Sequence, residues 1–394
     1  MSWEVETNGR KLAADRNADI PVRLSPLRIA VVAPPWFEVP PSAYGGIERV
    51  CYDLVEGLVD RGHEVTLLAA GLDGTRARFV RVLSTPPPGL GTIEAPIQEA
   101  VYGAGVGHAL ASLDIDIVHD HSLVGPVLAL RGSTPTILTA HGPTDGWVGE
   151  YYRALRLPLV ALSAAQRTTA ADLNWVGTVP NGVNVDAFRF REAKDDFALF
   201  LGRLSPEKGA HLAAEAARAA GVELVLAGKC KEDHERRYFA EQVAPHLGPT
   251  ARWVGEVHGD RKFDLLARAR CVLAPAQWEE PFGLVCVEAL ASGTPVVGLS
   301  RGSLPEIVIT GHTGWLSDDA ADLPGLIGRT TEIDPHACRA EALARFGVDA
   351  MVDGYEDIYR RVLGMSASLM ERVGVDAPVI DPSGNDRRYR ERDA

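Results

Sequence analysis

The chain has 394 residues, which is enough for two or three domains at the common size of about 150 residues each. Hydrophobic residues make up 46% of the sequence and charged residues 24%, and this balance excludes intrinsically disordered, collagen-like and coiled-coil chains. Forty Lys and Arg against 53 Asp and Glu give a formal net charge of −13, which argues against a nucleic-acid partner.

The sequence predicts neither a transmembrane segment nor a secretory signal. No apolar run approaches the ~18 residues of a spanning helix, and the polar start lacks an apolar signal region. The five cysteines are scattered and odd in number, which favours a reducing, cytoplasmic compartment. Peripheral membrane contact and the oligomeric state are left open by the sequence.

Short apolar runs alternate with helical patterns along most of the chain. The polar stretches at residues 1–24 and 365–394 predict a disordered arm and a flexible tail. The first set of predicted strands covers residues 27–35, 63–71, 116–122, 135–142 and 159–164. After a polar stretch near residue 190, the second set covers residues 197–204, 222–229, 251–257, 270–276 and 294–300.

This alternation is typical of the α/β class, in which helices flank parallel sheets. The two sets predict two doubly wound, Rossmann-like domains over residues 25–188 and 189–345. Ligands of such sheets bind beyond the carboxyl ends of the strands, so the cleft between the domains is the predicted active site.

The segment GRLSPEKG (202–209) follows the first strand of the second domain and leads into an alanine-rich helix. Arg203 and Lys208 therefore flank a helix N-terminus, where free N–H groups and the helix dipole already favour an anion. The motif predicts a phosphate or diphosphate site. The alternative is a solvated loop that carries two surface charges.

The segment EPFGLVCVEALASGTPVV (280–297) follows another predicted strand and enters a helix. Eight helical steps would separate Glu280 from Glu288 by about 12 Å. A retaining glycosidase needs two carboxylates about 5 Å apart, so the pair favours contacts with different parts of one elongated ligand. The alternative is one carboxylate that stabilises the helix N-terminus and another on the helix face.

Three further patterns have simpler interpretations. Asp114 and Asp116 spell a metal-binding DxD but precede their strand, the wrong end for a ligand. His119 and His121 lie on one face of a strand and could chelate a metal, but a hydrogen-bonded pair at a strand end is favoured. The glycines at residues 103–107 resemble a dinucleotide loop, but no strand precedes them.

Taken together, the motifs resemble family-four retaining glycosyltransferases of bacterial type, which have the GT-B fold. The two segments above are similar to the nucleotide-sugar half of that family. Five more segments extend the resemblance over residues 27–362: AYGGIERV (43–50), LTAHG (138–142), PNGVNVDAF (180–188), SRGSLPEIV (300–308) and HTGWL (312–316). The resemblance implies a GT-B fold whose last helix, residues 346–364, packs back on the first domain.

The resemblance also implies a role for each matching residue. It places His141 and Glu280 beside the transferred sugar, with Arg203 and Lys208 on the donor diphosphate as the other catalytic groups. It places Glu288, about two turns inside its helix, on the ribose hydroxyls. Further donor contacts are implied for the backbone or loops of Gly45, Gly46, Phe282, Gly283 and Leu284. Tyr44 and His119 are expected on the acceptor side, and Ser303 stands where many relatives carry a second glycine.

The implied activity is a retaining transfer of a hexose from a nucleoside diphosphate sugar to a hydroxyl group of a small-molecule, glycan or lipid acceptor. UDP-glucose is the first expected donor and GDP-mannose the second, and no metal or other cofactor is expected. The alternatives are a nucleotide-sugar epimerase of the same fold and a non-catalytic nucleotide-sugar-binding protein. A nicotinamide-dependent oxidoreductase is a third alternative, but the chain lacks a strand–GxGxxG–helix unit.

Overall fold

The computed structural model describes residues 25–42, 45–88, 92–129 and 132–373. Within these residues the chain forms two parallel β-sheets with helices packed on their faces. The first sheet has the spatial order β3-β2-β1-β4-β5-β6-β7. Its strands are β1 (Arg28–Val32), β2 (Glu64–Ala70), β3 (Arg78–Leu83), β4 (Ile117–Asp120), β5 (Thr136–Thr139), β6 (Leu159–Ala161) and β7 (Trp175–Thr178).

The second sheet has the spatial order β10-β9-β8-β11-β12-β13. Its strands are β8 (Phe197–Leu201), β9 (Glu223–Ala227), β10 (Ala251–Trp253), β11 (Cys271–Ala274), β12 (Val296–Leu299) and β13 (Gly314–Ser317). In both sheets the next two strands are added on one side of the first strand, and the later strands are added on its other side. This is the pattern of doubly wound folds. The fold class expected from the sequence is therefore confirmed.

Five helices accompany the first sheet in the described residues: α1 (Gly46–Asp60), α2 (Ala95–Leu110), α3 (Pro126–Ala129), α4 (Gly146–Leu155) and α5 (Ala164–Thr169). The helices that follow are α6 (Ala210–Ala220), α7 (Asp233–Tyr238), α8 (Gly259–Arg268), α9 (Leu284–Ala291), α10 (Leu304–Ile307), α11 (Leu323–Gly328), α12 (Pro335–Phe346) and α13 (Val348–Val373). Among the described helices, none combines the length and the apolar character needed to span a membrane.

All ten predicted strands are present, and each is shorter than its apolar run. The central strands are buried on both faces because helices cover both sides of a parallel sheet, so their sequences are continuously apolar. The structure adds two edge strands of the first sheet that the sequence did not predict, β3 and β7. Two arginines interrupt β3 and a glycine interrupts β7, so neither has the apolar pattern of a central strand.

The last helix, α13, packs against α1 and β7. The contact with α1 is close, because a Cβ atom on Gly57 would lie 2.6 Å from Cγ2 of Val352. The helix continues to Val373, beyond residue 364 where the sequence predicts its end. Residues 1–24 and 374–394, which include the predicted arm and most of the predicted tail, lie outside the described residues.

Of the three further patterns in the sequence, the pair Asp114 and Asp116 and the glycine-rich segment at residues 103–107 belong to ordinary structural elements. Asp116 accepts hydrogen bonds from the backbone N–H and the guanidinium of Arg28, at 2.8 and 2.6 Å, and Asp114 pairs with the same guanidinium. This pairing lowers the pKa of Asp116. Both carboxylates are at the amino end of β4, away from the carboxyl ends of the strands. The glycines at residues 103–107 lie inside α2 and form no loop.

Candidate functional site

Residues just beyond the carboxyl ends of strands from both sheets meet each other. Ser163, after β6, donates from Oγ to the carbonyl of Pro281, after β11, at 2.8 Å. A Cβ atom on Gly46, after β1, would lie 3.6 Å from Cδ2 of Leu284 at the start of α9. The predicted cleft is therefore lined by both domains, with the loop of Gly45 and Gly46 opposite the N-terminus of α9.

The segment 202–209 connects β8 to α6 at this edge. Gly209 has a left-handed backbone, φ +71°, and a Cβ atom there would lie 2.1 Å from the carbonyl oxygen of Pro275, so no larger residue fits. This close approach brings the loop to the end of β11. Arg203 pairs with Glu207 at 3.1 Å, while Lys208 pairs with Glu280. The two predicted cations thus lie in one loop, and one of them contacts a predicted carboxylate.

Glu280 lies in the loop between β11 and α9 and has two donors. Besides Lys208, the indole Nε1 of Trp278 donates to Glu280 Oε2 at 2.9 Å, and the Lys208 ammonium lies 5.1 Å from the centre of the Trp278 ring. Among the described residues, no group accepts from the backbone N–H of Phe282 or Gly283, although the Phe282 side chain is buried in the core. Two free amide donors therefore lie beside a paired carboxylate at the start of α9.

The loop of residues 300–304 supports Glu280 from behind. Gly302 has φ +53°, and a Cβ atom there would lie 2.3 Å from the backbone nitrogen and oxygen of Glu280. The N–H of Ser303 donates to the carbonyl of Glu280 at 2.9 Å, and that of Gly302 donates to the Glu279 carboxylate at 2.7 Å. Ser303 replaces the expected glycine without losing its backbone contact, and its buried hydroxyl has no partner among the described residues.

Glu288 is 5% exposed and is the fifth residue of α9, so it lies about one turn into the helix rather than the expected two. Lys262 of α8 donates to its Oε1 at 2.5 Å. Its other oxygen, Oε2, is buried and has no donor among the described residues. A buried carboxylate oxygen without a donor is costly, so this atom is suited to accept from a ligand hydroxyl.

On the first domain, His141 follows β5 and is half-buried. Its Nε2 lies 2.8 Å from Nδ1 of His121, which follows β4. Burial lowers the pKa of His141 to about 3, and it lowers that of His121 well below the ordinary value, so both rings are neutral at pH 7. His141 thus offers hydrogen bonds rather than charge.

His119 is fully buried. Its Nδ1 lies 2.8 Å from the Tyr359 hydroxyl, and its Nε2 lies 2.7 Å from the Thr139 hydroxyl. Both ring nitrogens are occupied, so His119 and His121 form the hydrogen-bonded strand-end arrangement that the sequence favoured over a metal pair. The acceptor contact expected of His119 does not fit, because α13 covers the ring. Tyr44 lies outside the described residues.

Helix α5 connects the His141 loop to the second domain. The Gln166 amide donates to the carbonyls of Ala140 and Gly142, on either side of His141, at 2.8 and 2.9 Å. The Glu306 carboxylate of α10 accepts from the first two N–H groups of α5, at 2.9 and 2.7 Å. Helix α5 therefore holds the backbone on either side of His141 and donates hydrogen bonds to a carboxylate of the second domain.

Sequence reasoning missed four residues of this arrangement: His121 as a partner of His141, Lys262 as a partner of Glu288, and Gln166 and Glu306 on either end of the α5 connection. The available signal for His121 was a matching spacing on two neighbouring predicted strands. His119 and His121 lie on one of them, and Thr139 and His141 lie on the other. Nothing in the local sequence pairs Lys262 with Glu288, which is 26 residues further along the chain.

Comparisons with known proteins agree with this architecture. A family model described as "Glycosyltransferase Family 4" matches residues 44–187, and one described as "Glycosyl transferases group 1" matches residues 185–324. A phosphatidyl-myo-inositol mannosyltransferase of Mycolicibacterium smegmatis is 30% identical over 330 residues, which cover 75% of this chain and 82% of that protein. A glycogen synthase of Mycobacterium tuberculosis is 28% identical over 376 residues, which cover 81% of this chain and 89% of the relative.

Solved structures share the fold. AviGT4, a glycosyltransferase involved in avilamycin A biosynthesis, matches with a TM-score of 0.68 and 32% identity over 86% of this chain and 98% of its own. Anabaena HepE, solved in complex with UDP and glucose, matches with a TM-score of 0.65 over 87% of this chain and 100% of its own. HepE is 20% identical, so its likeness supports the fold.

Proposed function

Since the chain belongs to glycosyltransferase family 4, we propose that it is a retaining hexosyltransferase, which moves a sugar from a nucleoside diphosphate sugar to an acceptor hydroxyl. The observation that carries the proposal is the arrangement at the start of α9. There Glu280 pairs with Lys208, and the N–H groups of Phe282 and Gly283 have no partner among the described residues. This arrangement offers a cation and two amide donors within one loop cluster.

In the proposed reaction, the bond between the anomeric carbon and the diphosphate oxygen breaks, and the acceptor oxygen bonds to the same carbon. Negative charge builds on the departing oxygen, and preorganised cations and N–H dipoles lower the barrier by stabilising it. Arg203 and Lys208 supply the cations. The acceptor proton passes to the departing phosphate on the same face of the sugar, which gives retention without a protein nucleophile.

The other proposed site residues contact different parts of the donor. Glu288 Oε2, which lacks a protein donor among the described residues, would accept from the ribose hydroxyls. Glu280 and His141 would face the sugar, and the loop of Gly45 and Gly46 would approach the phosphates. UDP-glucose is the proposed donor, with the UDP and glucose complex of HepE as support. GDP-mannose is the second candidate, because one relative is a mannosyltransferase.

We propose that the reaction needs no divalent metal, because Arg203 and Lys208 supply positive charge at the diphosphate. Of the metal ligands that the sequence suggested, Asp114 and Asp116 pair with Arg28, and both nitrogens of His119 meet hydroxyl groups. Activity is expected to survive EDTA and to gain nothing from magnesium or manganese. Loss of activity in EDTA with rescue by one metal would contradict this part of the proposal.

The test of the function begins with titration calorimetry against UDP, GDP, ADP and dTDP. The base that binds selects the donors, which are then offered with a panel of sugar, aryl and lipid alcohols while release of the nucleoside diphosphate is measured. The anomeric configuration of the product, read by NMR, decides between retention and inversion. Binding of one nucleotide without transfer to any acceptor would favour a non-catalytic binding protein, and conversion of the free nucleotide sugar would favour an epimerase.

A further inference from the structure

The contact between His121 and His141 has a direction that the surrounding atoms determine. The rings lie with Nδ1 of His121 2.8 Å from Nε2 of His141, and their planes are 29° apart. Both rings are neutral, so a single hydrogen lies between the two nitrogens. It belongs either to His121 or to His141, and each choice fixes the tautomers of both rings.

The other nitrogen of His121 distinguishes the two choices. His121 is 4% exposed, and its Nε2 is buried without a hydrogen-bond partner among the described residues. If His141 owned the shared hydrogen, Nε2 of His121 would carry a buried N–H with nothing to accept it. If His121 owns it, the same atom is a bare acceptor, and orphaned buried N–H donors are the rarer of the two in folded proteins.

From this geometry we infer that His121 is a positioning residue that donates from Nδ1 and holds His141 in the tautomer with the hydrogen on Nδ1. His141 then presents an N–H donor on its half-exposed side, where no described group accepts from it. This last step rests on the proposed function: the N–H of His141 donates to a hydroxyl oxygen of the transferred sugar.

The packing around His121 holds the ring in this pose. His119 packs against it with ring centres 4.0 Å apart and planes tilted by 38°, and His119 is itself fixed by the hydroxyls of Tyr359 and Thr139. The register between β4 and β5 pairs His119 with Ile137, so His119 and Thr139 lie on one face of the sheet, and His121 and His141 follow directly after these strands. Because each ring is held by a neighbour, the direction of the hydrogen bond is built into the fold and needs no ligand.

The direct test is long-range ¹H–¹⁵N NMR of the full chain labelled with ¹⁵N-histidine, which assigns the protonated nitrogen of each neutral ring. The expected spectrum has both His121 and His141 protonated on Nδ1. Protonation of His141 on Nε2 in the wild-type chain would overturn the inference. The measurement requires no substrate, so it stands even if the proposed transferase activity fails.

Two variants of similar size test the effect on catalysis. His121→Leu removes the donor, so His141 should revert to the Nε2–H form that imidazole favours, and kcat should fall by about 10- to 100-fold. His121→Asn places an amide N–H near the former Nδ1 and should recover most of that loss, together with the Nδ1–H signal of His141. UDP affinity should stay within about twofold in both variants, because His121 is not among the proposed nucleotide contacts.

An unchanged kcat in His121→Leu would also overturn the inference. Equal loss of UDP affinity and kcat in both variants would mean general damage to the fold rather than lost positioning. Should His121→Leu fail to fold, the wild-type spectrum decides the question by itself. If the spectrum is as expected and no donor is turned over, the proposed function fails while the positioning role of His121 remains.

Discussion

The two domains share a parallel-sheet architecture but bring opposite electrostatics to the cleft. On the first domain, burial shifts the pKa of several ionisable groups in the direction that favours the neutral form. The pKa of His141 falls to about 3, and those of Glu48 and Asp120 rise to about 7. In each case burial is the main cause, because a low-dielectric environment penalises the charged form.

The second domain keeps its charges and pairs them. Arg203 lies 3.1 Å from Glu207, Lys262 lies 2.5 Å from Glu288, and Lys208 pairs with Glu280. These pairs are partly open to solvent, so an anionic ligand can replace or join the carboxylates. The charged side suits the diphosphate of the proposed donor, and the less charged side suits an uncharged acceptor.

The largest effect is expected at the two glutamates of the second domain, to which we assign different roles. Glu280→Gln should lower kcat by about 10²-fold or more, on the scale of one lost electrostatic stabiliser. Free UDP affinity should hold, because the change leaves Lys208 available for the diphosphate. Glu288→Gln should instead weaken UDP and the intact donor alike, since it removes a contact made in every bound state.

Steady-state kinetics and titration calorimetry on both variants check this split. If Glu280→Gln loses as much UDP affinity as Glu288→Gln, the proposed roles are wrongly divided, and the second domain would grip only the nucleotide. Lys262→Met should resemble Glu288→Gln more weakly, because Lys262 holds the Glu288 carboxylate in place.

The assignment of the diphosphate to the charged side predicts the next largest effect. Arg203→Ala and Lys208→Ala should each weaken nucleoside diphosphate binding by about 1.5–3 kcal/mol, the usual value of a charged hydrogen bond. Arg252→Ala is a matched control, because Arg252 is an exposed cation of the same sheet that pairs with Glu223 at 3.4 Å. Calorimetry that found wild-type affinity in both site variants would place the diphosphate elsewhere.

These predictions rest on residues whose places in the fold could be predicted from the sequence, and there is a physical reason for that. Arg203, Lys208, Glu280 and Glu288 lie in or next to turns between a strand and a helix, so their positions follow from local structure. Nine of the ten predicted strands are central strands, which were predictable because such strands are largely apolar, and the tenth, β10, is an edge strand. The burial of His119 was not predictable, because the tyrosines that cover it come from α13, about 240 residues away.

Glu306 was missed for a related reason. Within its own segment it is an acidic residue on a short helix, and that pattern is typical of a solvated helix face. Its partners are two N–H groups about 140 residues earlier in the chain, across the cleft. Contacts between domains depend on how the domains meet, and no local pattern encodes that.

The neutral side can be tested through the pH dependence of stability. Glu48 is 3% exposed, and burial raises its pKa from 4.5 to about 7. Because the folded-state value lies above the unfolded value, this carboxyl lowers stability as the pH rises from 4.5 to about 7, and the full penalty remains above that window. Glu48→Gln removes the ionisation, so it should stabilise the chain more at pH 8 than at pH 5, by about 2 kcal/mol.

Urea unfolding at the two pH values, followed by the signal of the first domain, measures this difference. Glu94→Gln serves as the control, since Glu94 is exposed at the start of α2. A Glu48→Gln gain that is equal at pH 5 and pH 8 would show that the carboxyl is already ionised in the folded chain, and the neutral character of this side would then be wrong at that position.

The smallest effect is expected where the two sides are joined. The Glu306 carboxylate accepts from the N–H groups of Ala164 and Ala165, and both donors belong to the helix whose Gln166 holds the backbone on either side of His141.

Glu306→Ala removes these two bonds, but water can satisfy the freed amides because the site is partly exposed. The cost should therefore be about 1 kcal/mol, below the ~1.5–3 kcal/mol usual for a hydrogen bond to a charge, and it should be seen as an approximately fivefold loss of kcat/KM. Glu332→Ala is the matched control, since Glu332 is a carboxylate of the same domain that pairs only within its own turn, with Arg329. UDP affinity should not change in either variant, because neither Glu306 nor Glu332 is among the proposed nucleotide contacts. If Glu306→Ala weakened UDP binding while preserving kcat, the contact would belong to the charged side, and the neutral and charged halves would not be separable at this edge.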